Sequence, residues 1–327
     1  MWAGIKLAPQ SDPHGGMFAP AGERYNKVSD LMSYIMGNYV DSVSKDELAE
    51  DAILGILEEL DPHSQYISAD VFSQVNEDLM GNFEGIGIQF RIESDTITVI
   101  QTIADGPSEK VGLLAGDRIV IVGDSVVAGV GIGNNGAIRM LKGPRGTEVT
   151  IKVYRRGISE LLEFTIIRDV IPTFSVDVAY MPGDTIGYIK VSKFSATTYH
   201  EFSMALKLLL EKGMNTLILD LRGNTGGYLE AATQMADEFL SEGKLIVYTE
   251  GENRPRNYAY ATRKGLLEDQ HLVVLINEGS ASASEIIAGA VQDNDRGMII
   301  GRRSFGKALV QEQLTLPDGS AIRLTIA

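Results

Sequence analysis

Three polar residues late in the chain have the types and spacing for hydrolysis without histidine. They are Ser282, Lys307 twenty-five positions on, and Gln311 four positions after that. A serine hydroxyl is a poor nucleophile until a base removes its proton. The four histidines, His14, His63, His200 and His271, are scattered and form no HxH or HExxH pair, so neither a histidine base nor a zinc site is signalled. Lys307 could serve as the base in its neutral form. That requires its pKa to fall from about 10.4 towards neutrality, which desolvation brings about. Its neighbours Phe305, Gly306, Ala308 and Leu309 are uncharged, as such a pocket demands. Positions 307 and 311 share a face in a strand and in a helix alike, so the Gln311 amide could accept a hydrogen bond from the amine and orient it.

Acyl transfer also needs backbone N–H groups aimed at the developing oxyanion. Ala283 follows the serine at a helix entrance, where unpaired N–H groups and the dipole favour negative charge. The loop Arg222-Gly223-Asn224-Thr225-Gly226-Gly227, at the end of the LILDL strand pattern Leu217–Leu221, has the glycines that close backbone approach requires. Each feature also has an ordinary reading. Ser280–Ser284 could be a small-residue helix entry with serine as N-cap, Lys307 and Gln311 the face of an edge strand, and Gly226-Gly227 a plain turn. Their occurrence together in one α/β region favours chemistry.

The elements that must position these residues follow from periodicity. The arm 1–23 is rich in Pro, Gly and Ala and reads as disordered. Helical spacing runs from Glu23 to Leu60, ends at Asp61-Pro62, and resumes over Ala69–Met80, giving a helical region 24–81. From Asn82 to Asp169 the period switches to two, with short helices expected over Glu109–Gly116 and Gly136–Gly143, a mixed α+β unit. From Val170 to Ala327 strands alternate with helices, expected at Tyr199–Lys212, Leu229–Leu240 and Ser284–Gln292. That pattern implies a mostly parallel sheet covered by helices. The pattern stops inside a strand at Ala327, so a further C-terminal piece is expected.

Composition narrows the function. Hydrophobic residues make up 44% and charged residues 22%, a globular balance. A net charge of −15 without any basic cluster argues against a nucleic-acid partner. The absence of cysteine removes thiolate metal sites and cysteine nucleophiles. No cofactor and no metal are expected. Gly131-Ile132-Gly133-Asn134-Asn135-Gly136 spells a dinucleotide fingerprint, but the following helix is short and the surrounding strands read as antiparallel, so a loop is expected instead.

Taken as ordered blocks, GSASASEIIAGAVQDNDRGMIIGRRSFGKALVQ with LDLRGNTGG upstream resembles the carboxyl-terminal processing (tail-specific) serine peptidases. FEGIGI, GPSEKVGLLAGDRIV and LKGPRGTEV resemble their embedded PDZ domain, and LEELDPHSQYI their N-terminal helical segment. The resemblance spans about residues 25–327. It implies a ClpP/crotonase-like α/β core with an inserted PDZ-like domain. It implies Ser282 as nucleophile, Lys307 as general base, Gln311 as the residue orienting the lysine, and Ala283 with Gly226 or Gly227 as oxyanion donors. It implies a carboxylate-binding loop at Gly85, Ile86, Gly87 and Ile88, protein substrates read at their C-terminal tails, and a periplasmic or cell-envelope location. The N-terminal helices could also serve a homo-oligomer. Ala308 stands where the family usually has glycine. Two rival readings are distinct. One is an SxxK site at Ser304–Lys307, a pattern that also occurs at Ser42–Lys45 and Ser241–Lys244, with no SDN or KTG triplet beside it. The other is a peptide-binding scaffold without catalysis.

Overall fold

The computed structural model describes residues 26–262 and 264–327. The arm expected over 1–23 lies outside the described residues. The chain divides into two compact units, one of residues up to Ala69 together with Gln311–Thr325, the other of Asp70–Val310 with Ile326–Ala327.

The first unit opens with helix α1 (Lys27–Asn38), capped by Asn26, and α2 (Lys45–Glu58), capped by Ser44. Each cap side chain accepts an N–H of the first turn, and Asp46 and Glu47 add negative charge where the helix dipole favours it. Helix α1 buries none of its residues, and Leu31, Tyr34 and Met36 stand exposed. The Asp61-Pro62 break leads into a three-stranded antiparallel sheet. In it Ala321–Thr325 is the middle strand, flanked by Gln65–Ile67 and Gln311–Thr315. Asp61 ties turn to sheet: it accepts the His63 N–H at 2.8 Å and the Thr325 hydroxyl at 3.2 Å.

In the second unit, helix α3 (Ala69–Met80) precedes a small domain whose entry and exit are zipped together. Asn82–Gly85 pairs antiparallel with Asp169–Pro172. Between them lies an all-antiparallel sheet in the order Ile88–Ile92, Ile97–Thr102, Arg118–Val122, Glu148–Tyr154, Leu162–Ile167. Its alternating apolar positions, Ile97, Val99, Ile119, Ile151, Val153 and Ile166, form one buried cluster. The helix expected over Glu109–Gly116 is corrected. Helix α4 is only Pro107–Lys110, because Gly112 and Gly116 adopt positive φ and Asp117 captures the Leu114 N–H at 2.8 Å. The glycines at 131–136 lead into helix α5 (Asn134–Leu141), and Gly131 N–H is held by the Asp95 carboxylate at 2.7 Å. The sheet around them is antiparallel, so the βαβ unit of a dinucleotide site is missing there.

The remaining part is a five-stranded sheet ordered Val176–Tyr180, Ile186–Val191, Thr216–Asp220, His271–Ile276, Met298–Gly301. Its first pair is antiparallel and the rest parallel. Helices α6 (Thr198–Glu211), α7 (Leu229–Asp237) and α8 (Ala283–Asp293) contribute to one core with the sheet's apolar residues, centred on Phe194, Phe202, Leu206, Phe239 and Ile287. Phe202 and Phe239 meet edge to face, 5.8 Å between centroids. Helix α7 stops three residues before the expected Leu240. A hairpin of Leu245–Gly251 with Arg254–Tyr260 follows, in addition to the expected elements.

Candidate active site

Strands Thr216–Asp220 and His271–Ile276 run parallel in register, with Asp220 opposite Leu275, so both deliver their loops at the same carboxyl edge. That is where open α/β sheets place ligands. The first loop is pinned at its root by Asp220, a nearly fully buried carboxylate. It accepts the Arg222 backbone N–H at 2.9 Å, the Arg222 guanidinium at 2.6 Å and the Tyr188 hydroxyl at 2.6 Å. Burial works to raise the Asp220 pKa, but these donors outweigh it and hold the carboxyl below its ordinary range.

Asn224, fully buried, joins the two loops. Its amide donates to Val191 O at 3.0 Å, and its own carbonyl accepts the Ala281 N–H at 3.0 Å and the Ser284 hydroxyl at 2.9 Å. Asn277 adds a second tie, accepting the N–H groups of Gly223 at 2.8 Å and Gly279 at 3.1 Å. Residue typing alone left neither asparagine marked. Both lie in loops directly after buried strands, which is the signal that was available.

The three serines of the turn now separate. Ser280 and Ser284 are fully buried. The Ser280 hydroxyl donates to Leu221 O at 2.7 Å and accepts the Asn277 N–H at 3.0 Å, while that of Ser284 donates to Asn224 O. Ser282 is half-buried and sits at φ 54°, ψ −110°. A non-glycine residue there costs on the order of 1–3 kcal/mol, so surrounding contacts must impose it. The same turn starts α8 and leaves the Ala283 N–H at its first position, where no intrahelical acceptor exists.

The glycine pair lies against this turn. A Cβ on Gly226 would sit 2.8 Å from Ala281 O, 2.9 Å from Ser282 Cβ and 3.1 Å from Ala283 N. One on Gly227, at φ 145°, would meet Phe194 O at 2.0 Å. Only glycine fits at either position. The Gly226 N–H donates to Asn224 Oδ1 at 2.9 Å.

Lys307 is half-buried in a stretch, 302–310, without regular secondary structure. Its backbone N–H donates to Glu285 Oε2 at 2.8 Å. The same carboxylate accepts the Ser282 N–H at 2.8 Å, the Ser304 hydroxyl at 2.7 Å and the Gly306 N–H at 2.7 Å. Burial works to raise the Glu285 pKa, but the Ser304 hydroxyl and the three N–H donors prevail and keep it lowered. Gln311 opens its strand in the first unit, where its amide nitrogen donates to His63 O at 2.6 Å.

In the small domain, Gly85 pairs with Asp169, Ile86 is buried, and Gly87 turns at φ 73° into the strand beginning at Ile88. Ile86 O receives the Ser108 hydroxyl at 2.6 Å, which fixes the loop. Strand Ile88–Ile92 is the outer strand of its sheet, so one edge is open to an added peptide strand.

Comparison with known proteins matches this architecture block by block. A profile of peptidase family S41 fits residues 185–327, a PDZ domain profile 85–166, and the N-terminal domain of the activating protease CtpB 7–71. The chain is 37% identical over 306 residues to the carboxy-terminal-processing protease of Bartonella bacilliformis, covering 92% of this chain and 69% of that one. It is 31% identical over 338 residues to the carboxy-terminal processing protease CtpB of Bacillus subtilis, covering 100% and 69%. With CtpA of the same organism it shares 33% over 305 residues, 93% of this chain and 64% of the relative. The chain therefore spans roughly two thirds of these relatives' lengths. Among solved structures, the photosystem II D1 C-terminal processing protease is 26% identical with a TM-score of 0.48, covering 91% of this chain and 86% of that one. The chain belongs to peptidase family S41, the carboxyl-terminal processing serine proteases, with an embedded PDZ domain and a CtpB-like N-terminal domain.

Proposed function

We propose that the chain cleaves protein substrates presented by their C-terminal tails, with Ser282 as nucleophile and Lys307 as general base. Neutral Lys307 takes the hydroxyl proton as Ser282 attacks the scissile carbonyl, and the ammonium then protonates the departing amine. Water repeats the cycle on the acyl-enzyme. The Gly227 and Ala283 N–H groups hold the oxyanion. Gly226, whose own N–H is given to Asn224, supports the hole by its fit beneath Ser282. Gln311 takes the part of orienting the lysine, by its place in the motif. The observation that carries this reading is the packing of Gly226 directly on the Ser282 turn, with Ser282 alone among the three serines left half-buried.

The loop Gly85-Ile86-Gly87-Ile88 receives the tail carboxylate, and the open strand edge pairs with the tail. In domain terms, 24–81 is the helical region, 82–169 the PDZ domain and 170–327 a ClpP/crotonase-like peptidase core. Among the described residues α1 exposes Leu31, Tyr34 and Met36, which suits a homo-oligomer, and the family resemblance suits a periplasmic or envelope location. A fluorophosphonate probe tests the chemistry. Labelling is expected in the parent chain and in Ser304→Ala, and lost in Ser282→Ala. Cleavage of an unfolded protein with an apolar tail is expected to disappear in Lys307→Ala. Labelling that depends on Ser304 instead would establish the SxxK site, and an absence of any Lys307-dependent cleavage would leave a binding scaffold.

A further inference from the structure

Glu285 makes more contacts than its place in the helix requires. At the third position of α8 its carboxylate would ordinarily accept the N–H of the capping residue, which it does for Ser282. Three further donors come from a separate segment nineteen to twenty-two residues later: the Ser304 hydroxyl, the Gly306 N–H and the Lys307 N–H. Oε1 takes the first two and Oε2 takes Lys307 together with Ser282. An ionised carboxylate has about four acceptor sites, and these four donors fill them. One oxygen atom therefore receives the backbone N–H of both Ser282 and Lys307.

The lysine segment needs such a fastening. Residues 303–309 belong to no helix or strand, and backbone bonds hold the segment at its two ends, Arg302 N–H on Ile276 O at 3.2 Å and Val310 N–H on Ala327 O at 2.8 Å. Between them the Phe305 N–H reaches Ser280 O at 3.0 Å. The exposed Arg302–Glu278 pair is screened by solvent and contributes little. We propose that Glu285 is a positioning residue for the reaction, holding the Lys307 backbone in fixed register with the Ser282 turn. It takes no proton in the reaction. The inference rests on the Ser282–Lys307 assignment above.

Glu285→Gln tests it. The amide keeps the size but has a single oxygen, and its NH2 would face two donors. A displacement of about 1 Å at a catalytic group costs on the order of 100-fold. In Glu285→Gln the fluorophosphonate labelling rate and kcat on a tailed peptide are expected to fall about 10- to 100-fold. KM and tail-peptide affinity stay close to the parent, and the rise of rate with pH that deprotonation of Lys307 sets persists. Ser304→Ala, which removes one donor and leaves the carboxylate, is expected to give a smaller loss in the same direction, about 2- to 10-fold. Parent-like kcat in Glu285→Gln would overturn the inference. So would loss of the pH limb, which would make Glu285 itself the titrating group. A weaker tail binding and a raised KM in parallel with the fall in kcat would make it merely structural. Should Glu285→Gln fail to fold, a parent-like labelling rate in Ser304→Ala would count against the inference and a reduced one for it. A parent chain that takes no probe, or a Ser282→Ala variant that does, would sink the underlying assignment instead.

Discussion

At the scale of single residues, the site is made of groups whose neighbours leave one side chain possible. Gly227 is the sharpest case. Its φ of 145° and the 2.0 Å approach of Phe194 O to a would-be Cβ mean that Gly227→Ala must move the loop. On the oxyanion role proposed for its N–H, turnover is expected to fall about 100- to 1,000-fold, with tail-peptide affinity unchanged. Measured kcat beside a binding titration decides it. Asn224→Ala removes the donor to Val191 O and the acceptor of Gly226 N–H in a fully buried place, so a loss of about 1–3 kcal/mol in stability is expected from chemical denaturation. The sequence offered three serines in one turn and chose Ser282 only through spacing shared with a family. Burial separates them physically, and burial depends on Leu221 and Asn224, sixty positions earlier. Glu285 was legible as a helix-entry residue, whereas its bonds to residues 304–307 arise from tertiary structure that no local pattern carries.

At the scale of elements, strands and long helices followed from period and punctuation, while short turns did not. Glu109–Gly116 has helical spacing, yet two glycines at positive φ and the capture of Leu114 by Asp117 make it a turn. Asp117 is almost wholly buried and also takes a two-pronged bond from Arg155, at 2.7 and 2.6 Å. Removing Asp117 leaves the Leu114 N–H and the partly exposed Arg155 without their acceptor, so Asp117→Ala is expected to cost about 1–3 kcal/mol. The PDZ domain should then melt earlier and lose tail binding first, which calorimetry and a peptide titration would separate from the core. Unchanged melting would mean the pair is dispensable. The fold class of the core was readable because each parallel strand is nearly continuous apolar sequence with a helix after it.

At the scale of the molecule, two carboxylates of the site tie integrity to pH. Asp220 and Glu285 are both held below their ordinary values. In the acid range the unfolded chain therefore binds more protons than the folded one, and stability rises with pH there. Their contribution is complete above the unfolded values of about 4 and is lost as pH falls through the folded ones. Melting temperature is thus expected to be level in this respect near neutrality and to drop below about pH 4, less steeply in Asp220→Asn. A profile identical in that variant would remove Asp220 from the account. The strand order of the small sheet has a temporal consequence. Ala321–Thr325 lies between Gln65–Ile67 and Gln311–Thr315, so the strand that bears Gln311 has no partner until the ribosome has passed residue 325. Joining Gln65–Ile67 to that middle strand closes a loop of more than two hundred residues, which is slow compared with pairing neighbours. A nascent chain would therefore carry the serine turn before the strand bearing Gln311 has its partner, which makes this small sheet a late-setting part of the molecule.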